Sequence, residues 1–136
     1  MKAKHIKAYL KCAEVWAECS DSTRTKVGAV LVKNNRIISC GYNALPSGMS
    51  GPLEDENGNT KIECRHAEQN ALFGLVKSNE SAQGATLFVS HNPCQRCSLD
   101  IFDSGIVAVY YKHDYRCDKG IKYLKEKGVI VYKLED

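Results

Sequence analysis

No run of apolar residues in this 136-residue chain approaches the roughly 20 needed to cross a bilayer, so no membrane partner is expected. The opening stretch, MKAKHIKAYLKCAEVWAECS, alternates charged and apolar residues and lacks the unbroken apolar core of a secretory signal. A cytoplasmic location is expected. Charge of one sign is not concentrated either. A net charge of +3 with 26% charged residues suits a soluble protein but forms no basic stripe of the kind a nucleic-acid binder presents, and no nucleic-acid partner is expected. Internal repeats, low-complexity tracts and interdomain linkers are absent. The 43% hydrophobic content is enough for a continuous core at this length, so residues 1–136 are expected to form a single domain. A disulfide framework is missing as well. Cys12, Cys19, Cys40, Cys64 and Cys117 show no regular spacing, and the total of seven is odd, which points to a reducing compartment and to small apolar roles for these five.

Hydrophobic periodicity supplies the elements. Ile6, Tyr9, Leu10, Ala13, Trp16 and Ala17 recur at helical spacing and predict a first helix over about Lys4 to Cys19. VGAVLV and RIISCGY are β-rich runs joined by KNN, and adjacent asparagines tolerate left-handed backbone angles, which predicts a hairpin. Asn43 to Lys61, with LPSGMSG and DENGN, is too long and too rich in turn formers to be a plain connection and points to a functional or partly mobile loop. A second helix is expected over about Arg65 to Lys77 and a third strand at ATLFVS. Pro93 suits the first turn of a third helix, which ends at Gly105. IVAVYY reads as a strand buried on both faces, Lys119 to Lys127 as a fourth helix stopped by Gly128, and VIVYKL as the last strand. The order α-β-β-α-β-α-β-α-β places helices between the last three strands. Helical crossovers return the chain parallel and right-handed. The expected fold is therefore an α/β three-layer α/β/α sandwich around a mixed five-stranded sheet with parallel last strands.

Two fragments carry chemistry. HAE, at His66 to Glu68, and PCQRC, at Pro93 to Cys97, open the second and third predicted helices, whose amino ends can converge at one end of the sheet. Cys94 and Cys97, at i and i+3, share a helical face, and the positive end of the helix dipole favours their thiolate forms. Two thiolates and a neutral imidazole suit Zn²⁺, and three protein ligands leave a fourth tetrahedral position for water, as catalytic zinc requires. Two thiolates soften the metal's acidity, so an adjacent carboxylate is needed to move protons, and Glu68 is placed for that. Taken alone, CQRC could be a redox pair or half of a zinc knuckle, and HAE three ordinary helical residues. Together they make the pattern used by zinc nucleobase deaminases, with the glutamate as proton shuttle. No second Cys-x-x-Cys or His pair exists to close a four-ligand site.

With RTKVGAVLV, GYNALPSG, HAEQNA, GATLFVSHNPCQRC and the SGI that precedes VYY, the chain resembles the deoxycytidylate (dCMP) deaminases of the cytidine deaminase-like superfamily over nearly its whole length. It departs from them at Ala44, where a glycine is common. The resemblance implies zinc-dependent hydrolytic deamination of dCMP to dUMP with release of ammonia, supplying the precursor of dTTP. It implies metal ligation by His66, Cys94 and Cys97, and Glu68 as the group that protonates N3 and then the departing amine. It assigns Asn43 to the sugar, the amide of Ala67 to the pyrimidine carbonyl, and the carbonyl of Asn92 to the amine. Tyr115 would close over the nucleotide. It further implies a homo-oligomer, a hexamer, activated by dCTP and inhibited by dTTP with Mg²⁺. Arg24 and Lys26, at the start of the first strand, are the cations that would hold such a triphosphate. Asn43 as a simple turn cap, Tyr115 as rim packing, and Arg24 and Lys26 as solvated charges are the plain alternatives. An adenosine deaminase acting on structured RNA would share zinc site and sandwich but lack the GYN and PSG pattern. A zinc-stabilised binding module is disfavoured by the open ligand position and by Glu68.

Overall fold

The computed structural model describes residues 1–115 and 117–135. Its elements run α1 (Ala3–Ala17), β1 (Gly28–Lys33), β2 (Arg36–Tyr42), α2 (Ala67–Val76), β3 (Thr86–His91), α3 (Gln95–Asp103), β4 (Ala108–His113), α4 (Lys119–Glu126) and β5 (Ile130–Lys133). The KNN turn is a two-residue hairpin in which Asn34 and Asn35 carry φ of 52° and 57°, the left-handed pair whose twist matches the flanking strands. The five strands lie in the order β2-β1-β3-β4-β5. β1 runs antiparallel to both β2 and β3, and β4 runs parallel to β3 and β5, so the sheet is mixed with parallel last strands, as the element order requires.

Strand alternation divides the core. Ala29, Leu31, Leu87, Val89 and Val109 meet Ala71 and Leu75 of α2, Ile101 of α3 and Leu124 of α4 on one face. Val30, Val32 and Phe88 meet Leu10 and Ala13 of α1 on the other. That second face has one helix, and it packs chiefly over β1 and β3. β4 is consequently covered only in part on that face, where Ala108 is buried and Tyr110 half-buried. Tyr110 stacks between Phe88 at 5.2 Å and Tyr132 at 5.5 Å, and Tyr132 is 56% exposed, because α1 is too far along the sheet to cover β5.

Gly28 and Gly41 let α1 and α2 lie close on the sheet. A Cβ on Gly28 would collide with the carbonyl oxygen of Ala13 and lie 2.5 Å from the Ala17 amide, and one on Gly41 would lie 2.5 Å from both Ala67 O and Ala71 N. Gly41 thus fixes the height of the first turn of α2 above the end of β2. Gly41→Ala is expected to cost on the order of 1–3 kcal/mol, the usual range for overpacking against backbone, read as a lowered denaturant midpoint at unchanged slope. An unchanged midpoint would mean that α2 is free to move outward.

The pairings Gly28↔Tyr42 and Ala29↔Val89 bring the start of β1 and the ends of β2 and β3 to one edge of the molecule. α3 follows β3 directly, and α2 follows the long loop from β2. That loop is fastened through buried Leu53 and Glu54 and through the Ala44↔Arg65 and Glu54↔Thr60 bridges.

Candidate active site

α2 begins after His66, whose backbone is extended (φ −71°, ψ 158°), and α3 after Cys94 (φ −72°, ψ 170°). Both residues are N-caps and not interior helical residues, as helices starting at Arg65 and Pro93 would have made them. The difference follows from what an N-cap does: extended backbone turns the side chain across the helix mouth, where it can take up N–H groups that have no intrahelical partner. The Cys97 amide donates to Cys94 Sγ at 3.4 Å, and the His66 amide donates to Gln69 Oε1 at 2.9 Å. Pro93 lies one residue ahead of the cap.

These caps bring the three ligand atoms together. His66 Nδ1 is 3.2 Å from Cys97 Sγ and 3.5 Å from Cys94 Sγ, and all three atoms lie within 4.8 Å of one another. A tetrahedral zinc with ordinary Zn–S and Zn–N bonds has S···N edges of about 3.6 Å. The donor set, its spacing and its number therefore fit a zinc ion with one position left for water. Electrostatics agree. Donation from the Cys97 thiol holds Cys94 down to about 3, helped by His66 and the Cys97 amide. Cys97 is pushed up by donating to Cys94, by burial and by the nearby Glu68 carboxylate. The shared hydrogen bond thus favours charge on Cys94, and a dication would favour ionisation of both thiols.

Glu68, in the first turn of α2, is only 5% exposed and stands on the floor of a pocket with His66, Ala67, Asn43, Asn92 and Tyr115. Every substrate-contact residue expected from the sequence is at this pocket. Asn43 has a bracing task there as well: its Oδ1 accepts from the Val27 amide at 2.9 Å and its Nδ2 donates to Thr25 O at 2.9 Å. The Asn92 side chain accepts from the Tyr115 amide at 2.7 Å, fixing the loop after β4 to the site, while the Tyr115 ring packs edge-on against His91 at 5.5 Å. Beyond Asn43, His66 and Tyr115 the pocket opens into a cleft walled by Ser22, Arg24, Thr25, Glu54 and Thr60. Arg24 is therefore at the mouth of the same cleft, and Lys26 is exposed beside it.

His91 and Glu54 escaped the sequence reading. His91 lines the inner pocket, and its Nδ1 lies 2.9 Å from Ser90 Oγ. Its place as the last residue of β3, ahead of the first ligand loop, was the available signal. Glu54 had none, because its partners are more than 30 residues away.

With this geometry in hand, residues 2–113 match the family model of the cytidine and deoxycytidylate deaminase zinc-binding region. The deoxycytidylate deaminase of Mycobacterium phage D29 is 38% identical over 117 residues, covering 76% of this chain and 90% of that protein. That of Saccharomyces cerevisiae is 33% identical over 134 residues, with the match spanning 42% of its length. Among solved structures, the dCMP deaminase of cyanophage S-TIM5 in complex with dCMP and dUMP superposes with a TM-score of 0.96 at 44% identity, over 98% of this chain and 99% of that one.

Proposed function

The chain belongs to the family of cytidine and deoxycytidylate deaminases, and on that premise we propose that it hydrolyses dCMP to dUMP and ammonia, residues 1–136 acting as a single zinc-dependent domain. The observation that carries the reading is the meeting of His66, Cys94 and Cys97 within 4.8 Å, with His66 also lining a pocket that holds buried Glu68. His66, Cys94 and Cys97 would hold a zinc ion, which would supply a water of lowered pKa for C4 of the base. Glu68 would carry one proton from water to N3 and the remaining hydroxyl proton to the departing amine, so that dCMP and water become dUMP and ammonia. Ala67, the first residue of α2, offers a backbone N–H of the kind a helix start leaves without an intrahelical partner, and it meets the pyrimidine carbonyl. The Asn92 carbonyl accepts from the amine, Asn43 meets the sugar, and Tyr115 closes over the nucleotide.

The same reading makes the protein a cytoplasmic homo-oligomer, a hexamer, responsive to dCTP and to dTTP with Mg²⁺. None of the seven cysteines is paired in a disulfide. Phe73 and Val76 on α2 and Leu99 on α3 are large, apolar and exposed, which suits association. Arg24 and Lys26 are the cations offered to a triphosphate. The position of Arg24 on the catalytic cleft favours a second role, contact with the 5′-phosphate of the substrate itself.

Ammonia release from dCMP, dCTP, deoxycytidine, single-stranded DNA and adenosine-containing RNA tests all of this alongside metal analysis. Expected are one zinc per chain and the highest kcat/KM on dCMP. Faster turnover of deoxycytidine, DNA or RNA would refute the substrate. Sigmoidal dCMP kinetics should become hyperbolic with dCTP and shift to higher half-saturation with dTTP, a coupling of about 1–3 kcal/mol being typical. Replacing Arg24 and Lys26 by alanine should blunt both responses. Hyperbolic kinetics indifferent to both triphosphates, in a monomer, would remove the regulation and leave the deaminase reading intact.

A further inference from the structure

We propose that Glu54 is a positioning residue that builds the phosphate end of the substrate cleft by fastening the Ser22–Thr23–Arg24 segment to the long loop. The inference rests on the dCMP reading above and adds to it a residue outside the zinc chemistry. Glu54 is a carboxylate only 7% exposed in a loop otherwise rich in exposed turn residues. Burial of that charge is costly unless donors surround it, and here they do. Ser22 Oγ donates at 2.9 Å, the Thr23 amide at 3.1 Å and Thr23 Oγ1 at 2.8 Å. These contacts, the Thr23 amide first, hold its carboxyl below the usual range, so it remains ionised at neutral pH and keeps all three donors turned toward it.

The segment so gripped is held by side-chain hydrogen bonds and not by regular secondary structure. It contains no helix or strand, and α1 ends at Ala17 while β1 starts at Gly28. Its side-chain ties are Glu54 at Ser22 and Thr23, Ser20 at Asn43 O and the Ser22 amide, and Asn43 at Thr25 and Val27. Ser22 passes the restraint on, since its Oγ accepts from the Arg24 amide at 3.2 Å. A three-carbon carboxylate thus fixes the backbone on which Arg24 stands at the cleft mouth. The base, sitting over Glu68, lies at the far end of the same cleft. Anything attached to the nucleoside's 5′ carbon and carrying negative charge would extend toward Arg24. Asn43 lines both the inner and the outer pocket and Glu54 the outer one alone, so Glu54 bears on the outer, phosphate end.

The prediction is a split between substrates. Glu54→Gln and Glu54→Ala should raise KM for dCMP, by about tenfold in the alanine variant, the usual effect of removing a charged hydrogen-bond acceptor. They should leave kcat on dCMP and kcat/KM on deoxycytidine within about twofold, with one zinc still bound per chain. Thr23→Val, which removes one donor and keeps the β-branched shape, should show the same split at smaller size and guards against an alanine variant that fails to fold. Equal losses on dCMP and deoxycytidine, or no loss on either, would overturn the role of Glu54. A wild-type protein that does not prefer dCMP to deoxycytidine would instead overturn the dCMP reading, and the phosphate role with it, before any variant is compared.

Discussion

Glu68→Gln is expected to lower kcat for ammonia release by about 10²- to 10⁴-fold, the range that a positioned general acid–base contributes, while one zinc per chain remains bound. The substitution isolates proton transfer. Glutamine matches the volume of a side chain that is 5% exposed, so no cavity opens at the start of α2, and the ligand atoms of His66, Cys94 and Cys97 are untouched. What changes is basicity: an amide cannot accept the water proton or return it to the base. Removing the charge also relieves Cys97 of the carboxylate that opposes its ionisation, so zinc should bind at least as well as in the wild type. Affinity for dCMP should stay within a few fold. Glu68→Ala should lose turnover similarly but with a small stability loss from the emptied volume. Near-normal turnover in either variant, or loss of zinc from Glu68→Gln, would show that Glu68 is a structural or ligand residue and not the proton carrier.

How far these features were legible in the sequence depends on their range along the chain. The element order and the mixed sheet follow from periodicity and from turn chemistry as local as Asn34 and Asn35. The metal ligands were legible because their residue types are rare in combination and two of them sit three positions apart. α2 and α3 start two residues later than the sequence suggests for a physical reason: His66 and Cys94 are N-caps, and a cap looks in sequence like the first turn. Helix count per face was not legible. The apolar run IVAVYY reports that β4 is buried but not that one helix covers only part of the second face, leaving Tyr110 and Tyr132 stacked near the surface. Glu54 was illegible for the opposite reason to the ligands. A glutamate in a polar loop is common, and its meaning comes only from Ser22 and Thr23, 32 and 31 residues away.

Cys94→Ser is expected to abolish turnover and zinc binding while leaving the metal-free fold at least as stable as the metal-free wild type. Cys94 has two jobs on the proposed reading: its thiolate would be a metal ligand, and its Sγ caps α3 by accepting from the Cys97 amide at 3.4 Å. Serine is among the best N-caps and its oxygen accepts at shorter distance, whereas a neutral hydroxyl is a poor zinc ligand. The variant therefore separates the cap from the ligand. His66→Ala should also lose zinc and turnover, but it offers no replacement at the α2 cap. In the wild type, zinc held by His66, Cys94 and Cys97 would join the starts of α2 and α3, elements that otherwise pack together only lightly. Binding free energy of the metal is then folding free energy, amounting to about 2.7 kcal/mol at free zinc 100-fold above Kd. Removing zinc from the wild type with a chelator should lower Tm, and adding it back should restore Tm. Cys94→Ser should melt at or above the metal-free wild type and respond to neither treatment, and His66→Ala should melt below both. If Cys94→Ser retained one tightly held zinc per chain, or if chelation left the wild-type Tm and turnover unchanged, the three residues would not be the ligands of a metal on which the fold depends.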